Sequence, residues 1–119
     1  MKIKEEITYD DFTKLDIRIG HILAAEMVPD TDKLVKCTID FGEEVGERTI
    51  VSGIREWYEP EQLVGKRLPY LINLAPRELR GVTSEGMLLA AAPIDTDTKE
   101  RGLALLELDD DTPSGTTIG

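Results

Sequence analysis

The chain has 119 residues, 40% hydrophobic and 32% charged, with a net charge of −10. That length suits one domain around one core over 1–119, and no apolar stretch approaches the roughly 20 residues that a membrane-spanning helix requires, so no membrane partner is expected. The charged amino terminus, MKIKEEITYDDF, lacks the apolar core of a secretory signal, which points to the cytoplasm.

Thr8-Tyr9-Asp10-Asp11 has the form of a capping box and predicts a short helix over 9–14. LDIRIGHIL then alternates, with Leu15, Ile17 and Ile19 opposed to Asp16, Arg18 and Gly20, the period-2 signature of a half-buried strand. VPDTD is turn chemistry, and LVKCTIDF alternates again as a second strand. After the turn GEEVG, RTIVSGI reads as a third strand, and REWYEPEQLVG as a break holding a small helix between Pro60 and Gly65. RLPYLINL and MLLAAA supply strands four and five, with Pro69 restricting its position to an edge or a bulge because proline cannot donate to a ladder. Five short strands with a small helix between the third and fourth describe an all-β, five-stranded OB-fold barrel. Residues 1–14 and 94–119 flank it, and LALLEL offers a strand that the barrel does not need. Ile3, Ile7, Leu103 and Leu105 in those flanks call for a partner, and a homodimer is the simplest one.

Little in the chain offers catalysis. Cys37 and His21 are each the only residue of their type, so no disulfide, zinc site or triad can be assembled from them in the usual spacings. A lone cysteine in an alternating strand is ordinarily a small buried residue. No enzyme activity, cofactor or metal is expected.

Charge is unevenly distributed. Residues 61–93 carry four basic against three acidic side chains, whereas 94–119 carry two against seven. The basic excess falls in APRELRGVTSEG, which in an OB barrel joins strands four and five. With VPDTDK, the loop between strands one and two, it borders the face that commonly receives oligonucleotides or oligosaccharides. Lys33, Arg77 and Arg80 would meet there, Arg80 freer than Arg77 because Glu78 adjoins the latter. The acidic runs 95–100 and 109–115 read as solvated loops.

The strings DFTKLDIRIGHI, PDTDKL, TIVSGI, YEPEQLVGKR and NLAPRELRGVTSEGMLLAA resemble, in order and spacing, the tRNA-binding domain family. Its members include the carboxyl-terminal domain or beta chain of methionyl-tRNA synthetases, free-standing tRNA-binding homodimers and CsaA-like relatives. The resemblance covers about residues 11–118. It implies structure-selective, largely sequence-independent tRNA binding, dimerisation through elements flanking the barrel, and a methionyl-tRNA synthetase catalytic subunit as a further partner. It assigns binding roles to Lys33, Arg77, Arg80, Ser84, Gly86 and Met87, and to Asn73, whose side-chain amide is also suited to tying down its loop. The CsaA-like relatives imply an alternative, an export-related chaperone that binds peptides, which the acidic balance favours and the SEGM segment opposes. Two departures stand out. Val28-Pro29 replaces the family's His-Pro, and Glu56-Trp57-Tyr58-Glu59 stands where members often carry AKYY or KKYY. Trp57 has the chemistry to stack on a base, although its place beside the small helix favours packing on the barrel.

Overall fold

The computed structural model describes residues 2–95 and 97–119. The capping box forms as the sequence predicts: Asp11 N–H donates to Thr8 Oγ1 at 3.2 Å and Thr8 N–H to Asp11 Oδ2 at 3.3 Å, starting helix α1 (Tyr9–Phe12). The helix buries no residue and stops two positions earlier than expected.

Strands β1 (Ile17–Met27), β2 (Val35–Asp40) and β3 (Glu47–Ser52) form an antiparallel meander. In β2 the alternation holds, with Val35, Cys37 and Ile39 buried and Phe41 just beyond them. In β1 both faces are covered at mid-strand, since Ile19 and the adjacent Gly20 are both buried. Ile22 belongs to the core cluster, and a Cβ at Gly20 would lie 2.7 Å from the Phe41 ring. Gly20 is therefore an interior residue, kept small by the Ile39 and Phe41 side chains against it. Ile19 is buried outside that cluster, where its N–H donates to Thr116 O and its carbonyl accepts from Gly115 N–H. The carboxyl-terminal segment thus pairs along the edge of β1 where β2 stops.

Helix α2 (Pro60–Leu63) lies between β3 and β4 (Arg67–Leu71) and puts Leu63 into the core. Tyr70 of β4 meets Phe41 edge to face at 5.6 Å, an arrangement worth about 0.5–1.5 kcal/mol beyond the area it buries. After β4 come the hairpin β5 (Arg77–Leu79) and β6 (Val82–Ser84), then β7 (Met87–Leu88), β8 (Ala90–Ala91), β9 (Ala104–Leu105) and β10 (Thr117–Ile118). The main sheet runs β3-β2-β1-β4-β7, with β10 paired to β1. Residues 84–86 bring its ends together: Glu85 N–H donates to Thr49 O, and Val51 N–H to Ser84 Oγ at 2.9 Å. The result is the expected nearly closed five-stranded OB barrel with its helix between the third and fourth strands.

Three expectations are corrected. Pro69 lies neither on an edge strand nor at a bulge, since β4 is flanked by β1 and β7. It pairs with Ile19, whose N–H and carbonyl both point away toward the carboxyl-terminal segment, so that pair needs no donor from residue 69. The fifth strand is split. β7 pairs with β4, whereas β8 turns to β9 and so uses the strand that seemed spare. Consequently Leu103 and Leu105 pack against their own core and need no second chain, whereas Ile3 is 98% and Ile7 63% exposed.

Candidate nucleic-acid interface

The β5–β6 hairpin sets the arginines. Arg77 pairs with Ser84, Glu78 with Thr83 and Leu79 with Val82, leaving Arg80 and Gly81 as a two-residue turn. Both have positive φ, 51° and 81°, the pattern of a type I′ turn. Alternation puts Arg77 and Glu78 on opposite faces of the hairpin, so Glu78 does not neutralise its neighbour. Lys33, Arg77 and Arg80 are all exposed and, among the described residues, enter no ion pair. Arg80 nevertheless stands apart at the tip, while Arg77 lies at the hairpin's base beside the barrel.

Ser84, Gly86 and Met87 divide by role. Ser84 is 4% exposed, and its hydroxyl accepts from Val51 N–H and donates to Gly86 O at 3.4 Å. Gly86 (φ 154°) leaves no room for a side chain, because a Cβ would come within 2.9 Å of Ile50 Cδ1 and 3.0 Å of Leu71 O. Both residues shape the loop from within. Met87 is 45% exposed and paired with Leu71 at the mouth of the barrel. Asn73 binds protein on both sides of its amide, donating to Lys14 O at 2.6 Å and accepting from Asp16 N–H at 2.9 Å. It secures the link between α1 and β1.

On the other side of the face, Lys33 is anchored by its backbone: its N–H donates to Thr31 Oγ1 and its carbonyl accepts from Arg55 N–H. A cleft of about 500 Å³ opens beside it, lined by Lys33, Gly53, Glu56, Trp57, Glu100 and Arg101. A second, of about 300 Å³, is lined by Arg77, Met87, Leu88 and Leu103 together with the same Arg101. Arg101 is the cation that sequence reasoning missed. Its guanidinium lies 5.8 Å from the centre of the Trp57 ring, within the range of a cation–π contact, and it forms no ion pair among the described residues. The pairing of β8 with β9, extended by the Ile94–Arg101 bridge, carries it there from the acidic segment. Arg48 was missed too. Its Nη1 donates to Ile72 O at 2.6 Å and Glu85 O at 3.2 Å, pinning the hairpin's exit to the end of β4.

Trp57 is half-buried and packs on the core while its ring also lines the cleft. In the run 95–100, Asp95 accepts from the N–H groups of Asp97 and Thr98, and those bonds, Thr98's foremost, hold its carboxyl below the usual range. Burial pushes the Cys37 thiol up to about 12, which suits a packing residue rather than a nucleophile. No group of three or more metal-binding side chains occurs among the described residues, and no helix is long and apolar enough to cross a membrane.

The family profile described as "Putative tRNA binding domain" matches residues 17–117. The methionine–tRNA ligase of Deinococcus radiodurans is 48% identical over 112 residues, 94% of this chain and 15% of the ligase. That of Parabacteroides distasonis is 54% identical over 93 residues, 78% of this chain and 13% of the ligase. This chain therefore spans a small part of the curated relatives it matches. Among solved structures, a MetRS related protein from Pyrococcus horikoshii superposes with a TM-score of 0.86 at 34% identity, covering 98% of this chain and 100% of its own. The chaperone CsaA from Bacillus anthracis superposes at 0.79 with 30% identity, covering 97% and 100%. With matching fold, motif order and coverage, this chain belongs to the tRNA-binding domain family that methionyl-tRNA synthetases and CsaA-like chaperones share.

Proposed function

We propose that this domain holds tRNA by its sugar–phosphate backbone and carries out no chemistry of its own. One observation supports this above the others: Lys33, Arg77 and Arg101, from three distant segments, line two clefts that share Gly53 and Arg101, and they form no ion pair among the described residues. In a chain of net charge −10, cations outside ion pairs on one face offset part of the repulsion that a polyanion meets from the rest of the protein. Arg80 extends that surface from the hairpin tip. The likeness to methionine–tRNA ligases supports a role in helping a synthetase retain its tRNA, as a subunit or as a domain.

Titration of labelled total tRNA at several salt concentrations tests the reading. Lys33→Ala, Arg77→Ala and Arg101→Ala should each weaken binding across tRNA species and flatten the log–log salt dependence by about one unit or less. Parent-like binding by all three variants at every salt concentration would overturn it. The likeness to CsaA and the acidic surface favour peptide as the second reading, so a peptide pool belongs beside the tRNA. Peptide bound and tRNA ignored would establish that alternative.

The domain acts as a homodimer in this reading. Ile3, Ile7 and Tyr9 precede or open α1 and stay largely exposed, Ile118 of β10 is 42% exposed, and a second copy would bury them. Light scattering at micromolar concentration should give twice the chain mass, and a stable monomer would remove this part.

A further inference from the structure

Binding to the sugar–phosphate backbone does not explain why Glu56 and Trp57 share a cleft with Lys33. A carboxylate beside a phosphate track is repulsive, yet Glu56 and Glu100 both line the 500 Å³ cleft with Lys33. Neither carboxylate is in an ion pair among the described residues, so both remain free to accept hydrogen bonds. Trp57 lines the same cleft, with Arg101 over its ring, and a second hollow of about 450 Å³ is lined by Trp57, Glu100 and Arg101 together with Pro93 and Ile94. An aromatic face, a movable guanidinium and a cation for the adjoining phosphate match what an unstacked base requires.

We infer that this cleft takes one unpaired guanine, stacked on Trp57 and read on its Watson–Crick edge by the carboxylates of Glu56 and Glu100. The inference rests on the tRNA reading and adds a base preference to it. Guanine alone among the four bases presents two adjacent donors there, N1–H and the N2 amino group, which a carboxylate accepts side by side. Adenine and cytosine offer one amino donor next to an acceptor that a carboxylate repels, and uracil sets its one N–H between two carbonyls. Lys33 then meets the phosphate of the same nucleotide, and Arg101 leaves the Trp57 ring to cover the base.

The test uses fluorescently labelled single-stranded uridine oligomers with one central guanosine, inosine, adenosine or cytidine. Their phosphates are identical, and inosine lacks only the N2 amino group. The full chain should bind the guanosine oligomer about tenfold more tightly than the inosine one, the scale of a bidentate base contact. Glu56→Gln or Glu100→Gln should bring that ratio close to one, because an amide sets an N–H against a guanine donor. Trp57→Leu should lose about tenfold for every oligomer, and Trp57→Phe should recover part of it. Circular dichroism identifies any variant that fails to fold, and the glutamine variants, altered only at exposed side chains, carry the test if Trp57→Leu does. Equal binding of the four oligomers by the parent, or discrimination that survives both glutamine substitutions, would overturn the inference. The two readings separate cleanly: tRNA bound without guanine preference removes the base cleft alone, whereas guanine preference without tRNA binding removes the proposed function and leaves the cleft.

Discussion

At the exit of the β5–β6 hairpin, Ser84 is buried with its hydroxyl on Val51 N–H, and Gly86 is pressed between Ile50 and Leu71 O. At the tip, four residues away, Arg80 and Gly81 are exposed, and a Cβ at Gly81 would meet nothing within 4 Å. One contiguous motif thus contains two kinds of residue. Those at the exit hold the loop against the barrel, and those at the tip are free for whatever the loop approaches. Loss of binding means different things at the two ends, a displaced loop at one and a missing contact at the other.

Gly86→Val should be the largest effect. It combines a positive-φ penalty with a clash against backbone and core, and should cost about 2–4 kcal/mol in urea denaturation. Binding then falls because the closure of the barrel is lost. Ser84→Ala comes next, leaving Val51 N–H buried without its acceptor, at about 1–3 kcal/mol. If that variant binds tRNA more weakly while keeping the parent's salt slope, Ser84 acts through the loop's position. Gly81→Ala at the open tip pays only the left-handed strain, about 1–2 kcal/mol, and equal costs at Gly81 and Gly86 would break the comparison.

Arg80 gives the smallest and most telling change. A non-glycine residue at φ 51° is held against its own preference. Arg80→Asn creates the Asn-Gly pair that type I′ turns favour and should raise stability by about 0.5–1 kcal/mol, read as a higher denaturation midpoint. The same substitution should weaken tRNA binding and flatten its salt dependence. A variant both more stable and an equal binder would show that the arginine serves no ligand.

Much of the fold was legible because it depends on local rules. The capping box at Thr8 and Asp11 and the alternation of β2 need only neighbours along the chain, and both appear as expected. The site was legible in part. Lys33 and Arg77 could be placed by assuming which loops an OB barrel brings together, but Arg101 could not, because it sits in a segment whose net charge is strongly negative. Its signal was the second apolar run, LALLEL, which implied a strand without naming the strand it pairs with. The two sides of β1 were legible only in part for a related reason. Alternation gives a period but not which side is inside, and here Gly20 leaves the space that Ile39 and Phe41 fill.

By itself, the order of residues determined where the first four barrel strands begin, to within two residues, which turns need glycine, and the absence of the paired groups that hydrolytic or zinc chemistry uses. Tertiary structure decided what those elements meet. Pro69 is tolerated inside the sheet because it faces Ile19 in a pair without hydrogen bonds and its other side lies beyond the last β4–β7 pair, Tyr70–Leu88. Ser84 becomes a fastening because β3 passes within hydrogen-bond reach. Arg101 reaches Trp57 because β8 leaves the barrel to pair with β9. Periodicity and turn chemistry act over a few residues, whereas hydrogen-bond direction and the convergence of charge depend on which distant segments the closed barrel sets side by side.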